Sequence, residues 1–567
     1  MSDITKRYKK YTIPKRPKSF DSICFPKEFT LQNPQLFLAD FLGPKSNNNS
    51  VLVFHQIGSG KTCTAIRIAE AWVNLKQVVI VTPASLIGNM LDELRSECAG
   101  NKYISDKERQ LLKKLDPKSK EYLNIIEKSN DKIYKNYKIF SYNKFVRALK
   151  ENTINLKNTV LIIDEVQNIV SETGTYYEEI YQAIKDAPKN IKIVLLSATP
   201  MFDKPSEIAL TVNLLKLQKE MPTGLNFVKK FLKMKKITNE EGKKITIIKP
   251  QNLDKFKEYV KGHISYYRGA PPYVYPENKI KYIKCHMSNF QYKSYLTALQ
   301  QEQKNMRLLK DFQGEKIEEL PQNFLLGSRI ISNIAFPNKD INEDGYESLK
   351  DVNLSLDNLK KYSIKFYSIL SKIRSCSGTI FIYSNFKEYG GIKSLVCVLE
   401  AFGYKNYLSN GKGKKRFAIW SGETSQKHRA EIKAVFNNYN NHTGKHIKIV
   451  LGTPSTKEGI SWANVQQLHI LEPYWNYSRM LQIMGRGVRF CSHKMMPEEK
   501  RKIKIYIYLA VHESEKMTVD QKIMKLALDK KKLIEPFEMA LKSVAVDCEL
   551  FKHGNVFEGE KDIVCEI

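Results

Sequence analysis

VLVFHQIGSGKT, residues Val51–Thr62, carries a β-branched apolar run into a Gly-rich turn that ends on Lys61 and Thr62. The helix-compatible segment TAIRIAEAWVNL follows at once. A buried strand, a tight loop and a helix start, in that order, make a phosphate cradle. Loop amides and the helix N-terminus face the phosphates, Lys61 neutralises them, and the Thr62 hydroxyl can ligate magnesium. The pattern G-x-x-x-x-G-K-[ST] is met at Gly60, Lys61 and Thr62, but His55 stands where the first glycine belongs. Gly58 supplies backbone freedom inside the loop. The competing reading is an ordinary strand–turn–helix with a chance Gly-Lys-Thr. The rest of the chain decides between them.

A chain of 567 residues is too long for one hydrophobic core, so two or more domains are expected. Its 92 Lys and Arg against 60 Asp and Glu give a net charge of +32, which favours a polyanionic partner, nucleic acid first. A lysine-rich and asparagine-rich bias from an AT-rich genome is the alternative source of that surplus. The nine cysteines include no C-x-x-C pair, the count is odd, and most sit in apolar contexts. Reduced thiols are therefore expected, with neither a zinc site nor a disulfide frame. The basic N-terminus lacks the apolar stretch of a secretory signal, and no run reaches the ~18 apolar residues of a membrane span.

Residues 1–28 read as a basic, Pro-punctuated arm. From residue 29 to 216, short β-branched runs alternate with amphipathic stretches. The expected strands are Val51–Phe54, Val78–Val81, Lys138–Ser141, Val160–Ile163 and Ile193–Leu196, interrupted by a charge-rich helix pair over 104–135. That alternation is the mark of a parallel sheet with crossover helices. Residues 217–365 read as a lysine-rich, helical insertion or bridging region. A second alternating series, Thr379–Tyr383, Arg416–Trp420, Ile447–Leu451, Gln467–Leu471 and Ile503–Leu509, sets a second α/β lobe over 366–512. Residues 513–567 read as a helical segment with an irregular tail. The fold class is thus α/β, with two tandem parallel-sheet lobes.

LIIDEVQN delivers Asp164 and Glu165 at the carboxyl edge of an expected strand, where open α/β sheets bind ligands. One carboxylate would hold magnesium and the other would polarise the attacking water. Ser197-Ala198-Thr199-Pro200 follows another strand, and its hydroxyls can hydrogen-bond the Asp164–Glu165 loop. GTPSTKEGISW at 452–462 brings Lys457, Glu458 and Gly459 after a strand of the second lobe. Gln482, Gly485, Arg486 and Arg489 complete the set, and arginines three apart share one helix face. Each signal alone has a plain alternative: acids at a strand end, a helix cap, a basic helix face.

In order, spacing and context, these five signals together resemble the superfamily-2 helicases and translocases over roughly residues 29–510. The resemblance makes Gly58–Thr62 the first motif, Asp164–Gln167 the second with Gln167 in place of histidine, Ser197–Thr199 the third, and Gln482, Gly485, Arg486 and Arg489 the last. It implies two RecA-like lobes with ATP and Mg2+ in the cleft between them. An adenine-reading glutamine would be Gln35, with Gln32 as its rival. The expected nucleotide contacts are Gln35, His55, Gln56, Gly58, Ser59, Gly60, Lys61, Thr62 and Gly459. The expected catalytic groups are Lys61, Asp164, Glu165, Gln482, Arg486 and Arg489, with Thr62 and Asp164 on the metal.

A narrower resemblance, carried by FHQIGSGKT, HISYY at 263–267, CHMS at 285–288, SNFKEYGGIK at 384–393 and FAIWSG at 417–422, is to the helicase-type ATPases of large cytoplasmic DNA viruses. That group includes the small subunit of the poxvirus early transcription factor and, as near rival, the viral nucleoside triphosphate phosphohydrolase I, which acts in termination. Helicases of linear cytoplasmic yeast plasmids are similar to it. The resemblance implies DNA-dependent ATP hydrolysis in viral transcription, in the host cytoplasm or the virion. The implied partners are DNA or RNA and a viral RNA polymerase or transcription-factor subunit. Thr82, Ser141–Asn143 and Thr453–Thr456 lie at strand ends suited to a nucleic-acid backbone. Within the family the alternatives are a termination or RNA-release ATPase and a true strand-separating helicase. Outside it stand a non-catalytic helicase-fold scaffold that recruits polymerase, and a different ATPase such as a small-molecule kinase or transporter motor.

Overall fold

The structure is a computed structural model, and it describes residues 3–15, 19–116, 119–170, 174–238, 244–305, 323–454 and 460–566. The chain forms two compact units. The first holds Met1–Met234, Ile248–Pro272 and Leu533–Ile567, and the second Lys235–Ile247 and Tyr273–Lys532.

The strands, in chain order, are β1 (Ser50–His55), β2 (Gln77–Thr82), β3 (Tyr137–Ser141), β4 (Thr159–Ile163), β5 (Lys192–Ser197), β6 (Leu232–Thr238), β7 (Lys244–Pro250), β8 (Ile264–Tyr267), β9 (Glu277–His286), β10 (Thr379–Tyr383), β11 (Lys405–Asn406), β12 (Arg416–Trp420), β13 (Ile449–Gly452), β14 (Val465–Ile470) and β15 (Lys502–Val511). β6 and β7 pair as a two-stranded ribbon.

The first unit is built on a parallel sheet in the order β3-β2-β4-β5-β1-β8. β1 is buried along its whole length, as a strand covered on both faces must be. That is why its sequence shows a continuous apolar run and no alternation. The helix Lys61–Glu70 starts directly after the loop that follows β1, with Gly60 at its N-cap in the left-handed region (φ 83°). The helices Asp106–Leu112 and Lys120–Asn136 form the expected charge-rich pair, each started by a serine cap, Ser105 and Ser119.

β8 is one of the strands that sequence reading misses, because ISYY is four residues long and lies in a stretch with the composition of a connector. It takes its place beside β1 with Phe54 opposite Tyr266 and His55 opposite Tyr267. Its outer edge is closed by the C-terminal segment. Val546 N donates to Ile264 O (2.7 Å), and Tyr266 N donates to Asp547 Oδ1 (2.9 Å). The Asn555 side chain donates to Tyr266 O (3.0 Å) and accepts from Arg268 N (2.8 Å). These bonds satisfy edge groups that an open parallel strand would leave without partners. Val546, Leu550 and Phe551 sink into the core of this unit, where the Phe551 ring meets Phe37 edge-on at 5.6 Å. The N-terminal arm is folded too: Tyr8 packs on Phe37, and Ile13 N donates to Leu550 O (2.9 Å).

The second unit holds a parallel sheet in the order β11-β12-β13-β10-β14-β15-β9. β9 pairs with β15 over ten residues. Its sequence hides this, because Lys279, Lys281 and Lys284 interrupt the apolar pattern. Beneath the carboxyl ends of β10 and β14 lies a buried polar network. Glu472 accepts from Ser384 Oγ (3.0 Å), from Asn385 N and from the Asn333 amide (3.1 Å). Lys365 donates to Asn333 Oδ1 (2.9 Å) and pairs with Asp520 at 2.6 Å, both ions fully buried. A buried pair that lost one member would leave the other charge uncompensated, so the network fixes this packing.

The expectation of reduced thiols without disulfides is corrected here. Cys63 is joined to Cys98 and Cys548 to Cys565, with Cα–Cα distances of 5.5 and 5.8 Å. The partners stand 35 and 17 residues apart in sequence. Packing of the Lys61–Glu70 helix against the turn Glu97–Ala99 sets the first pair, and such a meeting leaves no signature in cysteine spacing. Cys285, Cys376 and Cys397 are free.

Candidate nucleotide site

The loop between β1 and its helix is shaped by two glycines, Gly58 and Gly60, both at φ 83°. A side chain at Gly60 would be strained by the backbone, and its Cβ would lie 2.7 Å from the Gln35 amide nitrogen. Gln35 is therefore seated against the loop, buried, with its Oε1 accepting from Gln32 N (2.8 Å) at the start of the helix Asn33–Phe41. That bond turns the Gln35 amide toward Gly60. Ser59 is buried, and its hydroxyl donates to Gln56 O (2.7 Å). Lys61 Nζ donates to His55 O (3.1 Å) and reaches Gln56 O at 3.5 Å. Thr62 stands half-buried in the first turn of the helix. The ammonium is folded back over loop carbonyls, in reach of any phosphate the loop amides would cradle.

Asp164 follows β4 directly. Its backbone N donates to Val81 O (2.8 Å), which extends the ladder to β2 by one residue. The carboxylate accepts from Thr82 Oγ1 (3.2 Å) and from Glu165 N (3.0 Å). Burial, and then the charge of Glu165, raise its pKa, against the opposing pull of Lys61. A buried carboxylate beside a second carboxylate, with one lysine as counter-charge, suits a cation. Thr62 and Asp164 offer the oxygen donors that magnesium takes, so the residues present fit that ion. Glu165 sits in the left-handed region (φ 49°), a conformation that costs a non-glycine residue on the order of 1–3 kcal/mol and concentrates at functional sites. The Tyr142 hydroxyl holds this corner by donating to Asp164 O (2.6 Å) and Glu165 O (3.1 Å).

From this corner a short chain of hydrogen bonds runs to the end of β5. Gln167 Nε2 donates to Glu165 Oε2 (2.6 Å), Ser197 Oγ donates to Gln167 Oε1 (2.6 Å), and Thr199 N donates to Ser197 Oγ (3.0 Å). Glutamine in place of histidine thus bridges Glu165 to Ser197, since a primary amide can donate to one and accept from the other.

In the second unit, Asn476 caps the helix Tyr477–Met484, accepting from Arg479 N (3.1 Å). The helix ends before Gly485, so Arg486 and Arg489 lie in the turn beyond it and not on one helix face, a correction to the sequence reading. Gly487 lets this turn approach β15, where a Cβ would come within 2.8 Å of Ile503 Cδ1. The two guanidinium groups still converge: Arg486 Nη1 (3.1 Å) and Arg489 Nη2 (3.0 Å) both donate to Ile460 O. Arg486 Nε also donates to Gln482 O (3.2 Å), and Trp462 N donates to Arg486 O (2.8 Å). Gly459, expected at the nucleotide, lies outside the described residues, as do Lys457 and Glu458.

Comparison with known proteins gives this geometry a family. Residues 19–202 match the model of the type III restriction enzyme res subunit, and 365–491 match the helicase conserved C-terminal domain. A protein of Acanthamoeba polyphaga mimivirus named as an ATP-dependent RNA helicase is 50% identical over 563 residues, covering 99% of this chain and 97% of that one. The chain belongs to the superfamily-2 helicases of large DNA viruses. It is 26% identical over 588 residues to a helicase-named protein of Invertebrate iridescent virus 3, covering 94% of this chain and 55% of that one. It is 25% identical over 577 residues to the African swine fever virus termination factor NPH-I homolog, covering 89% and 77%. Its two parallel sheets are the tandem RecA-like pair of such an enzyme, and as a helicase it hydrolyses ATP.

Within the first unit, this helicase gathers Gln35, Gln56, Gly58, Ser59, Gly60, Lys61, Thr62, Asp164 and Glu165 around the carboxyl ends of β1 and β4. The His55 ring, expected at the nucleotide, is instead buried against Ser265, and only its carbonyl faces Lys61. Three residues suggested for the nucleic-acid face are committed elsewhere. Thr82 is fully buried against Asp164, Ser141 caps the helix Tyr142–Lys150 by accepting from Lys144 N (3.4 Å), and Thr453 is buried with its N donating to Trp420 O (3.4 Å). Ser455 and Thr456 lie outside the described residues. Sequence reading misses Tyr142 as the support of the acidic corner, because a tyrosine after a strand carries no motif.

Proposed function

We propose that this helicase is a nucleic-acid-stimulated ATPase that tracks along DNA during viral transcription, in the host cytoplasm or the virion. Lys61 takes the β- and γ-phosphates, Thr62 and Asp164 hold Mg2+, and Glu165 polarises the attacking water. Gln35 reads the adenine, and Arg486 and Arg489 neutralise charge that develops on the phosphates in the transition state. The observation that carries this reading is the chain Asp164–Glu165–Gln167–Ser197, which ties the acidic corner to the strand end that follows it. Occupancy at the metal corner would bias that chain, and through it the lobe that grips the backbone. The surplus charge of +32 supports a polyanionic track.

A second reading is an RNA-releasing or termination ATPase. It is favoured by the RNA helicase name of the 50% identical relative and by the termination-factor name of another. Steady-state ATP hydrolysis by the full chain with single-stranded DNA, duplex DNA, single-stranded RNA or no polymer separates the two. DNA is expected to stimulate most. Stimulation by RNA alone supports the second reading, and no stimulation by any polymer rejects both.

A further inference from the structure

His55 occupies the position where a phosphate loop of this pattern carries glycine, and the structure gives its imidazole an anchor. The ring is fully buried, and its Nε2 lies 2.8 Å from Ser265 Oγ. Ser265 Oγ bonds in turn to Asp547 Oδ2, while Asp547 Oδ1 accepts from Tyr266 N (2.9 Å). His55 Nδ1 has no hydrogen-bond partner among the described residues, so Nε2 makes the ring's hydrogen bond, while Tyr267 packs edge-on against it at 5.8 Å. The same residue's backbone carbonyl is what Lys61 Nζ donates to (3.1 Å). One residue thus joins the C-terminal segment, through the edge strand β8, to the lysine of the phosphate loop.

We propose that Ser265 and Asp547 are positioning residues for the phosphate loop, acting through the His55 ring to fix the peptide that holds Lys61. The proposal rests on the reading of Lys61 as the phosphate lysine. Three physical points support it. A ring fixed at Nε2 restricts the backbone of His55 and hence the direction of its carbonyl. That carbonyl fixes the stand-by position of Lys61, and small displacements of a charge stabilising a phosphoryl transition state cost rate steeply. Burial and the Lys61 charge hold the imidazole neutral, with its pKa lowered to about 3, so the ring adds no positive charge beneath the loop. Neutral imidazole has one donor and one acceptor, and Asp547 selects between them. Ionised Asp547 accepts a hydrogen bond from the Ser265 hydroxyl, so Ser265 Oγ accepts from His55 Nε2–H. Protonated Asp547 donates to Ser265, which then donates to a bare Nε2. In either state the three groups form one continuous chain, and loss of the hydroxyl breaks it.

The test is a double-mutant cycle on ATP turnover by the full chain at saturating nucleic acid. Ser265→Ala is expected to lower kcat/KM for ATP roughly tenfold, and Ser265→Thr, which keeps the hydroxyl, to recover most of that loss. In a His55→Ala background, Ser265→Ala is expected to add less than about a twofold further loss, because the ring it anchors is gone. Asp547→Asn, whose amide can still donate to Ser265, should exceed Asp547→Ala in kcat/KM. Thermal unfolding of each variant confirms that a folded protein is assayed. A merely structural role for Ser265 in the β8 edge predicts additive losses in the cycle, and that result overturns the proposal. So does a folded Ser265→Ala protein with unchanged kcat/KM. If Lys61→Ala itself leaves turnover intact, the reading of the phosphate site fails, which is a separate outcome from loss of coupling at Ser265.

Discussion

Asp547 is a carboxylate in the interior of the first unit, and burial pushes its pKa up to about 7 despite the bonds from Ser265 and Tyr266 N. The folded state therefore holds this proton more tightly than the unfolded chain, where the group titrates near 3.8. The stability linked to this difference is fully present below the unfolded value. It is lost as pH rises through the folded one. An asparagine at this position cannot titrate. The melting temperature of Asp547→Asn is thus expected to gain on that of the native chain between about pH 4 and pH 7, with a constant difference above. A gap that does not change across this window would show that Asp547 is not the buried titrating acid. Gly60 makes a second residue-scale case. An alanine there must accept a left-handed backbone, which costs about 1–2 kcal/mol, with its methyl pressed on the Gln35 amide. Gly60→Ala should lower both the melting temperature and the affinity for ATP, measured by nucleotide titration. How far residues can be read from sequence differs with their neighbours. Lys61, Asp164 and Arg486 stand in ordered motifs with fixed offsets. Ser265 meets His55 across 210 positions of chain and Asp547 meets Ser265 across 282, and no local pattern marks such meetings.

At the scale of elements, the strands that carry the site are legible because central parallel strands, covered on both faces, carry an unbroken apolar run between their ends. β1, β2, β4 and β5 of the first unit are of this kind. β8 and β9 are not, because β8 is only four residues long and takes its outer neighbour from the C-terminal segment, whereas β9 lies at a sheet edge and exposes most of its side chains, lysines among them. The role of the C-terminal segment is equally hidden. Its sequence pattern is that of a tail, whereas its side chains act as the neighbour that β8 lacks. Removing residues 544–567 should expose the β8 edge and the Phe551 socket. Loss of cooperative melting and the appearance of aggregates in sedimentation are expected, and a truncated chain that melts like the native one would contradict this role. The helix after the phosphate loop has its own tie in the Cys63–Cys98 disulfide. Closing a loop of this length contributes on the order of 3–4 kcal/mol through the unfolded chain. Cys98→Ser should accordingly lower the melting temperature under non-reducing conditions.

For the whole molecule, two α/β units and their motifs are legible from the alternation of buried strands and helices, since that pattern repeats on each side of a lysine-rich stretch. The division of that stretch is not. Residues 217–272 fall mainly to the first unit and 273–365 to the second, and this follows from packing that local composition does not encode. The charge of the molecule makes its own prediction. If the surplus cations grip a nucleic-acid backbone, log Kd should rise linearly with log salt, with a slope of about 0.9 for each phosphate neutralised on DNA. A flat response would assign the surplus to composition alone. Arg486→Ala is expected to keep ATP binding and lose hydrolysis by about 10³-fold or more. The central claim is that the loop after β1, with Lys61 drawn toward it and Asp164–Glu165 at its side, is where this helicase hydrolyses ATP. The most direct measurement is steady-state ATP hydrolysis by folded Lys61→Ala with saturating DNA and Mg2+. Turnover is predicted to fall at least about a hundredfold with the melting profile unchanged, and hydrolysis at the native rate would contradict the claim.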